Sequence, residues 1–148
     1  MSNVGDVLDT KGSEVMTVDP RSTVFEAVVR MVRASIGALV VVDGEQLVGI
    51  ITERDYLRKV AVEGRTSRTT LVQEIMSCPV VCAHRGDTVD HCMSLMTQRR
   101  IRHVPIIDGT RLIGIISIGD LVRRKLDEQH HEIGRLVDYI QTSGTYVS

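Results

Sequence analysis

The sequence predicts a mixed α+β (α/β) protein built from two β-α-β-β-α units, and three observations lead there. A long motif occurs twice: Val41-Val42-Asp43-Gly44, two residues, then Leu47-Val48-Gly49-Ile50-Ile51-Thr52-Glu53-Arg54-Asp55 returns as Ile106-Ile107-Asp108-Gly109, two residues, then Leu112-Ile113-Gly114-Ile115-Ile116-Ser117-Ile118-Gly119-Asp120. The spacing is constant, with Asp43 and Asp108 lying 65 positions apart like Asp55 and Asp120, and it also pairs Thr23-Val24 with Thr88-Val89 and Met31 with Met96. Within each copy, short β-branched runs alternate with apolar stripes of helical period. A period this long that occurs only twice marks a duplicated supersecondary unit rather than a solenoid. The duplication also keeps polar residues, Thr52/Ser117 and Asp55/Asp120, that an apolar core does not require.

Each element follows from local chemistry. Val15-Met16-Thr17-Val18 is a short strand closed by Asp19-Pro20, because proline cannot continue a central ladder. Thr23 with Glu26 three residues on is a capping-box pattern, and Val24, Ala27, Val28, Met31 and Val32 form the stripe of the helix behind it. Residues 36–42 are a continuous apolar run, predicted as a buried strand. Asp43-Gly44 supplies turn chemistry, residues 47–51 return as a second strand, and Thr52-Glu53-Arg54-Asp55 opens a helix. In the second copy Val80-Val81-Cys82 is the predicted short strand, and Val89, Cys92, Met93 and Met96 are the helical stripe. Residues 101–107 and 112–116 are the strand pair, and Ser117 opens the closing helix. A short helical lead precedes each copy, Val4-Gly5-Asp6-Val7-Leu8 and Val72-Gln73-Glu74-Ile75-Met76. The first copy then carries three extra residues before its strand, Lys11-Gly12 among them. The resulting division is repeat 1 over 4–62, a polar linker over 63–70, repeat 2 over 71–126, and a tail over 127–148. In the tail, Ile133, Leu136, Val137 and Ile140 keep helical spacing, which predicts an amphipathic helix packed on the body or on a second subunit, with residues 142–148 frayed.

Composition narrows the function class. With 148 residues, 43% hydrophobic and 25% charged, the chain has material for a core, and that core must be aliphatic: there are one Phe, three Tyr and no Trp. A net charge of −1 with scattered Lys and Arg gives no nucleic-acid footprint. No apolar run is long enough to span a bilayer, and no secretory signal is visible. Three cysteines without framework spacing fit reduced thiols, so the expected location is cytoplasmic.

The residues resemble a known family. Gly49-Ile50-Ile51-Thr52-x-x-Asp55 and Gly114-Ile115-Ile116-Ser117-x-x-Asp120 each match the cystathionine β-synthase (CBS) domain pattern of Gly, two apolar residues, Thr or Ser, two variable residues and Asp. The Asp-Gly turns, Ile101-Arg102-His103-Val104-Pro105 and the two leads support the match, which covers about 4 to 126. The resemblance implies a tandem pair packed about a pseudo-twofold axis, with two clefts between the repeats. It also implies a homodimer and adenosine-containing ligands such as AMP, ADP, ATP, S-adenosylmethionine or NAD(H).

The residue chemistry suits such a ligand. An ionised Asp55 or Asp120 only accepts hydrogen bonds and can take both ribose hydroxyls. Thr52 and Ser117 stand at helix starts, where free N–H groups favour a phosphate, and Arg54 could close over it. Ile36, Ala38, Val40, Ile101 and Val104 are the apolar candidates to face adenine. Each has a blander alternative. Asp, Ser or Thr at a helix start can be a plain cap, and Arg54 a surface charge. Lys11-Gly12 can reach a phosphate or form a simple turn. His103 can touch ligand or be a satisfied buried histidine. Gly119 stands where the first copy has Arg54, so the Asp120 cleft needs Arg100, Arg102 or His103 to hold phosphate, and the clefts are expected to be unequal. The Cys and His spacings match no tight metal pattern, so no metal site is expected. The expectation is a regulatory adenine-nucleotide sensor (AMP, ADP, ATP or NAD(H)) that acts through a regulated partner protein and needs no fixed cofactor. No nucleophile with a paired base or Gly-rich loop points to an enzyme. The alternatives are a protein-interaction adaptor with unoccupied clefts and an S-adenosylmethionine-binding module.

Overall fold

The computed structural model of the chain describes residues 2–12 and 14–143. The elements run α1 (Val4–Lys11), β1 (Thr17–Val18), α2 (Val24–Ala34), β2 (Ala38–Asp43), β3 (Gln46–Thr52) and α3 (Glu53–Tyr56), the last continued by a π-helical turn over Leu57–Ala61. They go on as α4 (Val72–Ile75), β4 (Ala83–His84), α5 (Val89–Arg99), β5 (His103–Asp108), β6 (Arg111–Ser117) and α6 (Ile118–Ser143). Two three-stranded sheets result, ordered β1-β2-β3 and β4-β5-β6. In each, the short first strand is parallel to the second and the last two form an antiparallel hairpin. The hairpins turn at Gly44 (φ 63°) and Gly109 (φ 64°), where a left-handed residue is needed. Both carry a register irregularity at matching places, Val41/Val42 and Ile106/Ile107.

The starts of α2 and α5 are capped by threonine, half of the reciprocal pattern predicted at Thr23 and Glu26. Thr23 Oγ1 accepts from the Glu26 N–H at 3.1 Å, and Thr88 Oγ1 from the His91 N–H at 3.0 Å. Both helices end on a left-handed non-glycine residue, Ser35 (φ 54°) and Arg100 (φ 56°), which turns the chain toward β2 and β5. The position of one strand and the packing of the tail depart from expectation. The strand predicted at 80–82 forms instead at Ala83–His84, because Ala83 and His84 are the residues in register with Ile106 and Ile107. The predicted tail helix forms as a continuation of the closing helix of the second copy: Lys125, Leu126, Asp127 and Glu128 offer no breaker, so α6 runs unbroken for 26 residues, roughly 39 Å. Leu121 is its last core residue, and Ile133, Leu136 and Val137 stay exposed rather than packing on the body. The fraying expected over 142–148 lies outside the described residues from 144 on, while Thr142 and Ser143 are still helical.

The leads pack crosswise. Val4, Val7 and Leu8 of α1 belong to the apolar cluster of the second copy, with Ala83, Val89, Met96, Ile106 and Ile116. Val72 and Ile75 of α4 belong to the first, with Val24, Leu39, Val41 and Ile51. The backbone repeats the exchange. The Val4 N–H donates to the Asp87 carbonyl (2.8 Å) and the Val89 N–H to the Ser2 carbonyl (3.2 Å). Val72 to Ser22 and Val24 to Thr70 (both 2.8 Å) are their counterparts. Glycine permits the closest approach. A Cβ on Gly114 would stand 2.5 Å from Leu8 Cδ2, and one on Gly49 would stand 2.5 Å from Met76 Sδ. Leu8 is held in the core, so it cannot swing away. Leu8→Ala is expected to lower unfolding free energy by about 2–5 kcal/mol in urea denaturation. Gly114→Ala should also destabilise, but by less when Leu8 is already Ala. Strict additivity of the two changes would contradict the crosswise packing.

Candidate functional site: a cleft between the copies

The Thr52-Glu53-Arg54-Asp55 segment folds as a reciprocal cap. The Asp55 N–H donates to Thr52 Oγ1 (3.2 Å), and the Thr52 N–H donates back to Asp55 Oδ2 (3.0 Å), which also accepts from the Thr52 hydroxyl (3.1 Å). Asp55 as a whole is buried, with 7% exposure. The other oxygen, Oδ1, has different partners. It accepts from the Ser77 hydroxyl at 3.1 Å and stands 3.2 Å from Lys59 Nζ. Ser77 arrives with α4: its backbone pairs in both directions with Ile50 (2.8 and 3.2 Å) at the end of the swapped lead.

These groups border a cleft of ≈ 530 Å3, within the range of small-molecule sites. The first copy contributes Gly37, Ile50, Thr52, Glu53, Arg54, Asp55, Arg58 and Lys59. The chain after α4 adds Ser77, Pro79 and Val81, and the second copy adds Arg100, Ile101, Arg102 and His103. The walls carry five cationic side chains (Arg54, Arg58, Lys59, Arg100 and Arg102) against two carboxylates, Glu53 and Asp55. Such a field favours an anion. Arg54 spans the gap by donating from Nη1 to the Arg100 carbonyl (3.3 Å).

Of the candidates read from the sequence, Thr52, Arg54, Asp55, Ile101, Arg102 and His103 meet at this cleft. Arg100, Arg102 and His103 therefore line the Asp55 cleft, where the sequence had offered them to Asp120, although His103 also feels the Asp120 charge. The other apolar candidates do not line it. Val104 is fully buried in the second copy's core, and Ile36 packs on the first copy's core. Ala38 is buried opposite Thr52 in the hairpin, and Val40 is fully buried as well. Ser117, Asp120 and Lys11 lie at the second hydroxyl–carboxylate pair. There Lys11, the last residue of α1 and not part of a simple turn, stands 2.6 Å from Asp120 Oδ2. Sequence reasoning missed Gly37, Ile50, Glu53, Arg58, Lys59, Ser77, Pro79 and Val81. The acid–base spacing of Asp55 and Lys59, four residues apart on a helix, was a usable signal for one of them. Residues 77–79 carry no periodic pattern, and Val81 fell within the stretch 80–82 predicted as a strand, so nothing marked either as cleft lining.

Several titratable groups are perturbed, His103, Asp120 and Cys92 among them. Burial holds the His103 imidazole below its usual value and the Lys11 charge adds to this, Glu53 and Asp120 oppose it, and Arg102 lowers it further. Burial pushes the Asp120 carboxyl up, but the hydrogen bonds from Lys11 and the Ser117 N–H, with the Lys11 charge, outweigh it and leave it lowered. Burial pushes the Cys92 thiol up to about 11, which keeps it protonated and poorly nucleophilic. Among the described residues no group of three or more His, Cys, Asp or Glu is placed to hold a metal ion. Among them, too, no helix is long and apolar enough to cross a membrane.

With fold and cleft in place, the family is clear. The CBS domain model matches residues 4–62 and 72–127, and the chain belongs to the CBS domain family as a tandem pair. CBS domain pairs are regulatory ligand-binding modules. The chain is 44% identical over 151 residues to CBS domain-containing protein CBSX3, mitochondrial, of Arabidopsis thaliana, covering 95% of this chain and 72% of that one. A protein with CBS domains from Burkholderia ambifaria superposes with a TM-score of 0.84 at 44% identity, covering 86% of this chain and 96% of that one. The CBS domain pair of protein MJ0100, solved in complex with 5′-methylthioadenosine and S-adenosyl-L-methionine, superposes with a TM-score of 0.76 at 28% identity, covering 86% and 98%.

The His103 shift has a definite sign. A lowered folded value means that the unfolded chain binds the proton first. The stability is therefore complete above the usual histidine value near 6.5 and is lost as pH falls through the folded value. Unfolding free energy should drop from pH 7 toward pH 5, by at most about 1.4 kcal/mol per pH unit for one group. His103→Gln should flatten that slope in urea titrations at each pH; an unaltered slope would contradict the assignment.

Proposed function

We propose that this protein is a regulatory module that binds a phosphorylated adenine nucleotide, of the AMP, ADP, ATP or NAD(H) class, in the Asp55 cleft. A partner protein then reads the change. The observation that carries this reading is the pairing of one exchangeable carboxylate oxygen with a ring of cations. Oδ2 of Asp55 is committed to the Thr52 cap, whereas the partners of Oδ1, Ser77 and Lys59, both line the cleft. A ribose hydroxyl can replace Ser77 on Oδ1, and Lys59 is then free to turn toward a phosphate beside Arg54, Arg58, Arg100 and Arg102. Ligand-borne contacts would thus substitute for contacts between the first copy and the segment after α4. The shift between the two arrangements is limited to the ligand's differential affinity for them.

S-Adenosylmethionine, present in the MJ0100 structure, fits this cleft less well, because its sulfonium would sit among five like charges. The reading is of a binding module without a catalytic step, in a reducing compartment such as the cytoplasm. It includes a homodimer, with the exposed Val32, Leu57 and Val62 and the apolar stripe of α6 offering surface for it; a solution mass of one chain by light scattering would remove that part.

A thermal-shift panel of AMP, ADP, ATP, NADH and S-adenosylmethionine tests the ligand class. A nucleotide at a hundred times its dissociation constant should add about 2.7 kcal/mol of stability, and the phosphorylated ligands should act most strongly. No shift from any of them would favour an adaptor with empty clefts, and a stronger response to S-adenosylmethionine would overturn the phosphate assignment. Asp55→Ala should weaken binding by about 1–3 kcal/mol, roughly ten- to a hundredfold, in titration calorimetry; unchanged affinity would remove Asp55 from the site.

A further inference from the structure

The second hydroxyl–carboxylate pair is built like the first. The Asp120 N–H donates to Ser117 Oγ at 3.2 Å, and the Ser117 N–H donates back to Asp120 Oδ2 at 2.8 Å. What the carboxylate does with its remaining capacity is different. Lys11 Nζ stands 2.6 Å from Asp120 Oδ2 and also donates to the Ile115 carbonyl at 2.9 Å. Arg123 Nη1, at 3.9 Å from Oδ1, is at the edge of ion-pair range.

The contact comes from a difference between the two leads. α1 has eight residues and α4 has four, so α1 continues for an extra turn, and that turn ends in Lys11. Counted from the equivalent valines Val4 and Val72, the residue matching Lys11 is Pro79, which lines the Asp55 cleft and carries no charge. The lysine side chain is 38% exposed and the Asp120 side chain only 12%. A flexible, half-exposed ammonium therefore sits on a largely buried acceptor. Its three N–H donors satisfy both a carboxylate and a backbone carbonyl beside the closing helix.

We propose that Lys11 is an intramolecular stand-in for a ligand. It supplies Asp120 with the donors that a ribonucleoside would supply through its hydroxyls, and it keeps this half-site shut in the resting protein. The proposal rests on the reading of the Asp55 cleft as a nucleoside site, because it assigns the same role to the matching carboxylate. The two pairs then differ in regulation and not in basic chemistry. At Asp55 the competing groups are Ser77 and Lys59, the latter 3.2 Å from the carboxylate within its own helical segment. At Asp120 the competitor is tethered at the end of a separate helix, so an event that moves α1 would open the half-site. Filling it would in turn release the Lys11 side chain.

Equilibrium dialysis with labelled adenosine tests this, since an uncharged probe does not respond to the phosphate-binding cations. The expected counts are one adenosine per chain for the wild type, two for Lys11→Met, and one again for Lys11→Met combined with Asp120→Ala. Methionine keeps the length of the apolar stem, and the contact it removes lies at the solvent edge, so folding is retained; identical far-UV spectra and melting cooperativity check this. Equal counts in the wild type and Lys11→Met, whether one or two, would overturn the proposal. So would a second site in Lys11→Met that survives Asp120→Ala. A wild type that binds none beside a Lys11→Met protein that binds one would sink the Asp55 reading and leave the Lys11 gate standing.

Discussion

Neither copy of the duplicated unit completes its own core. The first copy is closed by Val72 and Ile75 from the segment that leads into the second, and the second by Val4, Val7 and Leu8 from the segment at the start of the chain. At Gly49 and Gly114 the fit leaves no space for even one more carbon beside Met76 and Leu8. Burying a leucine or isoleucine side chain stabilises by about 1.5–3 kcal/mol. Separating the copies would expose several such side chains and break the paired backbone bonds at both crossings. The halves therefore behave as one cooperative body, and each crossing delivers a new stretch of chain to one hydroxyl–carboxylate pair. Ser77 reaches Asp55 in this way, and Lys11 reaches Asp120.

The two sites share a scaffold and differ in what the crossing brings. At Asp55 it brings a neutral hydroxyl, and the second copy adds Arg100, Arg102 and His103 across the gap. The outcome is an open, cation-lined cleft. At Asp120 it brings an ammonium that pairs with the carboxylate directly. His103, which lines the Asp55 cleft, feels the charges of Lys11 and Asp120 as well as that of Glu53.

Much of this was legible in the residues. The repeat, the hairpins, the caps at Thr23 and Thr88 and the two polar pairs are local features with a fixed period or spacing, and such features survive in a one-dimensional reading. The crossed leads were not legible. Val4-x-x-Val7-Leu8 looks the same whether it packs on the copy it precedes or on the other one. Residues 77–81 followed from that hidden exchange and were missed with it. Val104 was misassigned because a β-branched residue in a strand reads alike on its core face and on its cleft face. The offset of three residues between the leads was visible from the start. Its consequence, one more turn of α1 carrying Lys11 to Asp120, needed the packing to interpret. In the tail the helix itself was legible from its apolar stripe, but its exposure was not, because a stripe does not say what covers it.

The most direct test is amide chemical-shift mapping of the protein titrated with AMP. If the nucleotide occupies the cleft that the crossing of α4 creates, the shifted resonances will cluster at 52–59, 77–81 and 100–103, three stretches that are distant in sequence and meet only at this cleft. Shifts confined to one copy, or concentrated around residues 115–120 with 52–59 silent, would contradict the account.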